Sequence, residues 1–220
     1  MSENRPKRGD ALTRAGRFVT LVELDAAAHG DSLYEGSHGE DRERIWRYLW
    51  EGPFETRAEF DAVLREKASA TDRRYLAILD NATGAAVGHA AYMREEPAHR
   101  VIEVGDILYT TRLQRTAGGT EAMYLMARHV FEEMRYRRYE WKCNALNEPS
   151  RAAALRLGFV FEGIFRQHMI IKGRNRDTAW FSMLDSEWPS HKAAFERWLA
   201  PENFDRDGRQ RRRLADLRTC

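Results

Sequence analysis

The spacing of apolar residues alternates between a period of two and a period near 3.6, which predicts strands interleaved with helices. Segments of strand character are residues 17–24, 74–79, 86–93, 100–109, 138–142, 159–171 and 178–184. Segments of helical character are residues 41–50, 57–70, 120–134, 149–158 and 186–199. A capping box at Thr56 and Glu59 marks one helix start, and the turn at residues 80–84 indicates a hairpin. The order predicts an α/β domain with a mixed central sheet, antiparallel in its first half.

The composition excludes several classes of protein. The 220 residues include 36 Lys and Arg against 34 Asp and Glu, a net charge of +2, which argues against a dedicated nucleic-acid binder. No apolar run approaches the roughly 18 residues that a membrane span needs. Cys143 and Cys220 cannot make a disulfide framework or a four-ligand zinc site. We therefore expect a cytoplasmic monomer or homodimer with no membrane contact and no metal.

The length predicts one domain with a tail at each end. Residues 1–16 are expected to be a mobile basic leader, and residues 17–200 the folded domain. Residues 201–220 form an Arg-rich tail, which from Arg206 onward is expected to be mobile or loosely docked. Both tails are basic, so the body between them is mildly acidic.

The most informative segment, residues 113–120, lies between a strand and an amphipathic helix. Gly118 and Gly119 let the backbone approach a ligand and adopt positive φ. Consecutive amides at a helix start suit a phosphate, and Arg115 adds a positive charge. A glycine turn that only starts a helix is the equally weighted alternative. The segment is neither a P-loop nor a dinucleotide fingerprint, because it lacks both glycine patterns.

Residues 114–119, Gln-Arg-Thr-Ala-Gly-Gly, resemble the pyrophosphate loop of the GNAT family of acyl-CoA-dependent N-acyltransferases, with Ala117 where the first glycine is usual. Further matches resemble the family's branch of ribosomal-protein N-terminal acetyltransferases, and these are Asn147, Ser150, Leu157-Gly158-Phe159 and Glu162-Gly163. The resemblance covers residues 17–187. It implies a single GNAT-type α/β domain with a mixed central sheet, splayed central strands and helices on both faces.

The resemblance also implies that acetyl-CoA is the co-substrate. Its pantetheine arm would insert between strands 100–109 and 138–144, along the backbone of Ile107, Leu108 and Tyr109. Asn147 would bind the pantetheine or thioester region. The pyrophosphate would lie on the loop, whose implied cofactor-binding residues are Gln114, Arg115, Thr116, Ala117, Gly118, Gly119 and Thr120.

The implied reaction is direct attack of a primary amine on the thioester in a ternary complex, which requires a neutral amine and a proton for the leaving thiolate. Ser150 matches the family's acid, although it could instead be a helix cap. For the base we favour Glu103 over Asp106, which strand alternation puts on opposite faces unless a bulge intervenes. The ribosomal branch has a carboxylate where this chain has Met169, and the adjacent His168 could compensate.

The acceptor could be a protein N-terminus or a small amine or antibiotic, and the mildly acidic body suits a cationic amine. Trp46 and Trp50 could stack on it as an acceptor wall, with His168 nearby, although core packing is the commoner role of such tryptophans. Cys143 could carry the acyl group, but a buried small hydrophobe is the favoured interpretation. The alternative function is a catalytically silent acyl-CoA-binding sensor or assembly module.

Overall fold

The structure, a computed structural model, describes residues 12–218. Its strands are β1 (Arg14–Ala15), β2 (Val19–Glu23), β3 (Arg74–Asp80), β4 (Ala86–Glu96), β5 (Val101–Tyr109), β6 (Arg138–Asn144), β7 (Val160–Ile171) and β8 (Arg174–Leu184). Its α-helices are α1 (Ala26–Ser37), α2 (Arg42–Trp46), α3 (Arg57–Ser69), α4 (Ala117–Arg128), α5 (Glu148–Leu157) and α6 (Trp188–Leu199). A π-helical turn at His129–Glu133 extends α4, and short 3₁₀ turns lie at Pro201–Asn203 and Ala215–Leu217.

The strands form one eight-stranded sheet in the order β1-β2-β3-β4-β5-β6-β8-β7. Only β5 and β6 run parallel, so the predicted mixed sheet and its antiparallel first half are confirmed. Side chains alternate across the sheet: Leu76 and Ile78 face the core under α4 and α6, whereas Tyr75 and Ala77 face the core under α1 and α3. Helices therefore cover both faces, as expected.

The two central strands separate at the middle of the sheet, which confirms the predicted splay. β5 and β6 pair only from Val101–Arg138 to Val104–Trp141. Beyond that point β5 bulges, because the register against β4 shifts between its partners Gly105 and Leu108, and Asp106 takes a φ of 45°. A bulge bends a strand and increases its twist, so the carboxyl ends of β5 and β6 diverge.

Local signals in the sequence account for the helix ends around this opening. The Thr56–Glu59 capping box is present at α3, as predicted. Asn147 caps α5 by accepting a hydrogen bond from the Ser150 amide, and Gly158 ends that helix with a φ of 108°. Helix α4 begins at Ala117, three residues earlier than the apolar pattern predicted, because Thr116 caps it.

Both terminal segments pack more closely than expected. Of the leader, residues 1–11 lie outside the described residues, but Leu12 is buried and β1 pairs with β2. In the tail, Leu214 and Leu217 are buried in the main core. The Arg218 guanidinium donates to the carbonyl oxygens of Leu155 and Arg156. The expectation of a mobile or loosely docked tail is therefore wrong for the residues up to 218, because two of its few apolar side chains anchor it.

Candidate active site

A cavity of about 1260 Å³ occupies the opening between β5 and β6. Its walls come from the segment after α2, the ends of β5 and β6, the start of α4, one side of α5, and the C-terminal tail around Gly208 and Gln210. It thus joins the predicted phosphate loop to the predicted catalytic residues in one continuous space.

The predicted phosphate loop forms the first turn of α4. Thr116 caps the helix, since its Oγ1 accepts a hydrogen bond from the Gly119 amide at 3.2 Å. The amides of Ala117 and Gly118 have no acceptor within the helix by virtue of their position. A helix N-terminus with free amides attracts anions, so this end of the cavity suits phosphate.

The glycines of this loop act differently from the prediction. Neither has a positive φ, and it is Arg115 that takes the left-handed conformation, with a φ of 61°. A Cβ on Gly118 would lie 2.8 Å from Val19 Cγ1, and one on Gly119 would lie 2.9 Å from the Leu113 carbonyl oxygen. Because these glycines have no side chain, α4 packs closely against Val19 and the Leu113 carbonyl group. The prediction that they take a positive φ was wrong.

Hydrogen bonds connect the end of β5 to the start of α4. The Gln114 Nε2 donates to the Tyr109 carbonyl oxygen at 2.8 Å, and its Oε1 accepts from Arg44 at 2.6 Å. The Tyr109 hydroxyl donates to the Gly119 carbonyl oxygen at 2.8 Å. Gln114 and Tyr109 thus hold the loop in place, with Ile107 also lining the cavity. The Leu108 side chain is fully buried in the core, so only its backbone is available to a ligand.

Arg156 is a second cation at the phosphate end, and no sequence pattern predicted it. Its Nη1 donates to Thr120 Oγ1 at 3.0 Å, and its guanidinium lies 5.0 Å from the centre of the Trp198 ring. Arg156 belongs to α5, thirty-six residues beyond Thr120. Only the packing of α5 over the start of α4 brings it there, so no local pattern could have shown it.

Ser150 lies where β6 meets α5, and Asn147, not Ser150, is the helix cap. The Trp141 Nε1 donates to Ser150 Oγ at 3.0 Å. An indole N–H can only donate, so the hydroxyl hydrogen of Ser150 remains available for another acceptor. Burial raises the pKa of the neighbouring Cys143 thiol, which outweighs a contact with Ser150. A protonated, buried thiol is a poor nucleophile, which supports the structural interpretation of Cys143.

The two candidate bases both line the cavity, because the bulge at Asp106 breaks the simple alternation. Both are bound by cations. The Arg94 Nη1 contacts both oxygens of Glu103 at 2.8 Å, and the Lys142 Nζ contacts its Oε2 at 2.8 Å. Asp106 accepts hydrogen bonds from the Lys67 ammonium and, at 2.6 Å, from the Tyr75 hydroxyl.

The electrostatics around Asp106 keep it ionised. Burial alone would raise its pKa, but the charge of Lys67 acts together with the hydrogen bonds from Lys67 and Tyr75 and holds the pKa below its ordinary value. Burial likewise opposes the charge of Lys67, whose pKa is nevertheless raised by Asp106 and Glu51. This buried pair holds the bulge that opens the cavity.

The acceptor predictions separate into one residue inside the cavity and two outside it. Trp50 lines the cavity, with the guanidinium groups of Arg94 and Arg176 at 5.8 and 5.2 Å from its ring centre. Trp46 is buried in the core and its Nε1 donates to the Ser37 carbonyl oxygen, so its acceptor role was wrong. His168 is exposed, contacts Thr178 at 3.0 Å and does not line the cavity, so it cannot serve there as predicted.

No group of three or more His, Cys, Asp or Glu side chains among residues 12–218 could hold a metal ion. Over the same residues, no helix has both the length and the apolar character needed to cross a membrane.

A mixed sheet that splays beside a helix N-terminus and its cations is the architecture of acyl-CoA-dependent N-acyltransferases. Residues 19–160 match the model of the acetyltransferase (GNAT) domain, and the chain therefore belongs to the GNAT family. The ribosomal branch is also represented among its relatives: 73 residues are 33% identical to the "Putative ribosomal N-acetyltransferase YdaF" of Bacillus subtilis (strain 168). That match covers 33% of this chain and 40% of YdaF.

Solved structures resemble nearly the whole chain. A GCN5-related N-acetyltransferase from Brucella melitensis is 48% identical with a TM-score of 0.93, over 97% of this chain and 96% of that one. A probable acetyltransferase of the GNAT family from Chromobacterium violaceum is 36% identical with a TM-score of 0.75, over 86% of this chain and 98% of that one. The first similarity includes most of the C-terminal tail, because it leaves only 3% of this chain uncovered.

Proposed function

We propose that this chain transfers an acetyl group from acetyl-CoA to a primary amine, by direct attack within a ternary complex. The observation that carries the proposal is the single cavity that runs from the free amides of α4 to Ser150 and Trp50. Membership of the GNAT family supports the choice of acetyl-CoA as the donor.

The groups that line the cavity fit acetyl-CoA. Its phosphates suit the amides of Ala117 and Gly118, with the guanidinium groups of Arg115 and Arg156 beside them. Its pantetheine amides suit the backbone of β5 and β6 beyond Val104, where the two strands no longer pair. The bound thioester supplies the activated acetyl group. Asn147 and Ser150 line the region between these two ends.

Ser150 is the proposed acid that donates a proton to the leaving thiolate. Its hydroxyl oxygen is fixed by the Trp141 indole, which leaves its hydrogen free to be donated. A positioned donor at this point stabilises the charge that develops on sulfur as the bond to carbon breaks.

Glu103 is the proposed base, because one of the two cations that hold it is displaceable. The Arg94 side chain is 38% exposed, although Lys142, the second cation on Glu103, is 7% exposed. Asp106 is held by Lys67, which is 8% exposed. An α-amine titrates near 8 and a lysine amine near 10.4, so an α-amine needs less help from any base. Cations already bind both candidate carboxylates, so either would give limited help as a base. This favours an α-amine acceptor, which needs less help.

An acceptor screen that follows the release of free CoA thiol tests the proposal. N-terminal peptides, amino acids, polyamines and aminoglycosides are supplied separately with acetyl-CoA. We expect release with α-amines, and the similarity to the putative ribosomal N-acetyltransferase YdaF makes peptides with a free N-terminus one of the classes to include. A response to polyamines or aminoglycosides alone would overturn the preference for α-amines. Binding of acetyl-CoA with no release from any amine would favour the silent sensor instead.

A further inference from the structure

Arg176 is a buried cation in the cavity, and residues 12–218 give it no anionic partner. It lies on β8 two residues before Thr178, whose partner Asn144 is the last paired residue of β6, so it stands at the open end of the splay. The residue is 8% exposed and lines the cavity. Its Nε is buried without a hydrogen-bond acceptor, and no ion pair among residues 12–218 includes it.

The carboxylate that acts on Arg176 electrostatically, Glu103, does not satisfy this charge. Glu103 attracts Arg176 electrostatically, but its oxygens are already bonded to Arg94 and Lys142. Burial lowers the pKa of Arg176, which agrees with a charge that lacks compensation. Buried charges in proteins are normally paired, so an unpaired one in a cavity indicates a binding position for an anion.

The surroundings of Arg176 indicate that this anion belongs to the acceptor, because Arg176 lies at the Trp50 end of the cavity. Its guanidinium lies over the ring of Trp50, which belongs to the segment between α2 and α3. It also acts on the Cys143 thiol, next to Ser150. Arg115 and Arg156, the two cations proposed to bind the phosphates, lie at the other end of the cavity, around the start of α4.

We propose that Arg176 binds a carboxylate of the acceptor, so that the preferred acceptor is a primary amine with a carboxylate close to it. This inference rests on the proposed acetyl transfer. A guanidinium presents parallel N–H donors that match both oxygens of a carboxylate, and the guanidinium carbon of Arg176 lies 5.2 Å from the centre of the Trp50 ring. The local charge of Arg176 adds a carboxylate to the cationic amine that the mildly acidic body suggested.

The carboxylate has two possible sources with the same chemistry. A free amino acid carries it beside the amine, and a peptide carries it in an acidic N-terminal residue. The test therefore uses two matched pairs of acceptors: an amino acid with its carboxamide, and a peptide beginning with Asp with the same peptide beginning with Asn.

Each pair is compared in wild type, in Arg176→Gln and in Arg174→Gln. Arg174 is a matched control, since it lies on the same strand and is exposed outside the cavity. In the pair that contains the natural type of acceptor, we expect the kcat/KM of wild type to be about tenfold or more higher for the member with the carboxylate. The difference should come mainly from a lower KM. Arg176→Gln should remove this preference and Arg174→Gln should keep it. The pair that shows the preference identifies the source of the carboxylate.

Three outcomes would overturn the proposal: equal use of both members in both pairs by wild type, a preference that survives Arg176→Gln, or an equal loss of kcat for both members, which would place Arg176 at the thioester. The melting temperature should not fall in Arg176→Gln, because an uncompensated buried charge is removed. If that variant does not fold, Arg176→Lys should reduce the preference, since an ammonium lacks the planar fork.

Failure of the proposed function gives a different result. If no amine releases CoA thiol, calorimetric binding of the same pairs to CoA-saturated protein still measures the preference without turnover. Tighter binding of the carboxylate that depends on Arg176 would support the site, and equal binding would overturn it.

Discussion

Substitution of Lys67 by Met tests how the bulge that opens the cavity is held. The Lys67 Nζ contacts the Asp106 carboxylate, the Glu51 Oε1 at 2.5 Å and the Tyr75 hydroxyl at 3.5 Å. Only 2% of the Asp106 side chain is exposed. Methionine has similar length and no charge, so the substitution removes the cation with little change in volume and leaves Asp106 buried with one donor, the Tyr75 hydroxyl.

The free energy of unfolding should fall by about 3 kcal/mol. Removal of one partner from a buried ion pair costs about 3–5 kcal/mol. The remaining 2.6 Å hydrogen bond from Tyr75 places the expected loss at the lower end of that range. Urea unfolding of the single variants and of Lys67→Met with Asp106→Asn measures it, and the double variant should recover about 1–3 kcal/mol relative to the sum of the singles.

The pH dependence has a definite sign. Burial would raise the pKa of Asp106, but its pKa is lower in the folded protein than its ordinary value because the charge of Lys67 acts together with the hydrogen bonds from Lys67 and Tyr75. Its contribution to stability is therefore fully present above about pH 4 and is lost as the pH falls through the folded pKa. The difference in stability between wild type and Lys67→Met should be large at neutral pH and should narrow in acid.

The same variant should also bind acetyl-CoA more weakly, because Asp106 itself forms the bulge, with its φ of 45°. A loss of stability below about 1 kcal/mol, or a double variant whose cost equals the sum of the singles, would refute this account of the buried pair. Unfolding measured with Arg174→Gln, an exposed change of charge, controls for effects on the unfolded chain.

Three other substitutions test the site. Ser150→Ala should lower kcat about a hundredfold and leave the affinity for acetyl-CoA unchanged; an unchanged kcat in steady-state kinetics would exclude Ser150 as the acid. Gly119→Ala should lower the free energy of unfolding by about 1–3 kcal/mol, since its Cβ would meet the Leu113 carbonyl oxygen at 2.9 Å, whereas Gly39→Ala meets nothing within 4 Å and should be neutral. Cys143→Ala should keep kcat, and mass spectrometry of wild type incubated with acetyl-CoA should find no acetyl group on Cys143; an acetylated thiol would contradict its assignment as buried and protonated.

Local physical signals explain the parts of the fold that were predictable. The Thr56–Glu59 box and the Gly158 helix end depend on residues within one turn, so the sequence shows them directly. The strands were predictable because apolar and polar positions alternate along them. On β3, successive side chains alternate between two cores on opposite faces of the sheet. The splay was implied by the family resemblance, and the chain realises it through the bulge at Asp106.

The unpredicted features depend on contacts between distant segments. Trp46 and Trp50 have the same helical spacing, yet α2 ends at Trp46, which turns one ring into the core and the other into the cavity. Arg156 and Arg176 carry no motif, and each reaches the cavity only through the packing of its element. Alternation alone also misplaced Asp106, because a bulge adds one residue to the count.

The most direct test of the account is mass spectrometry of the acceptor combined with the count of free CoA thiols in one reaction. The account predicts that one acetyl group appears on a primary amine for each thiol released, fastest with an amine that carries a nearby carboxylate, and that Ser150→Ala slows both together. Saturable binding of acetyl-CoA with no acetylated amine and no thiol release across the whole panel would contradict it.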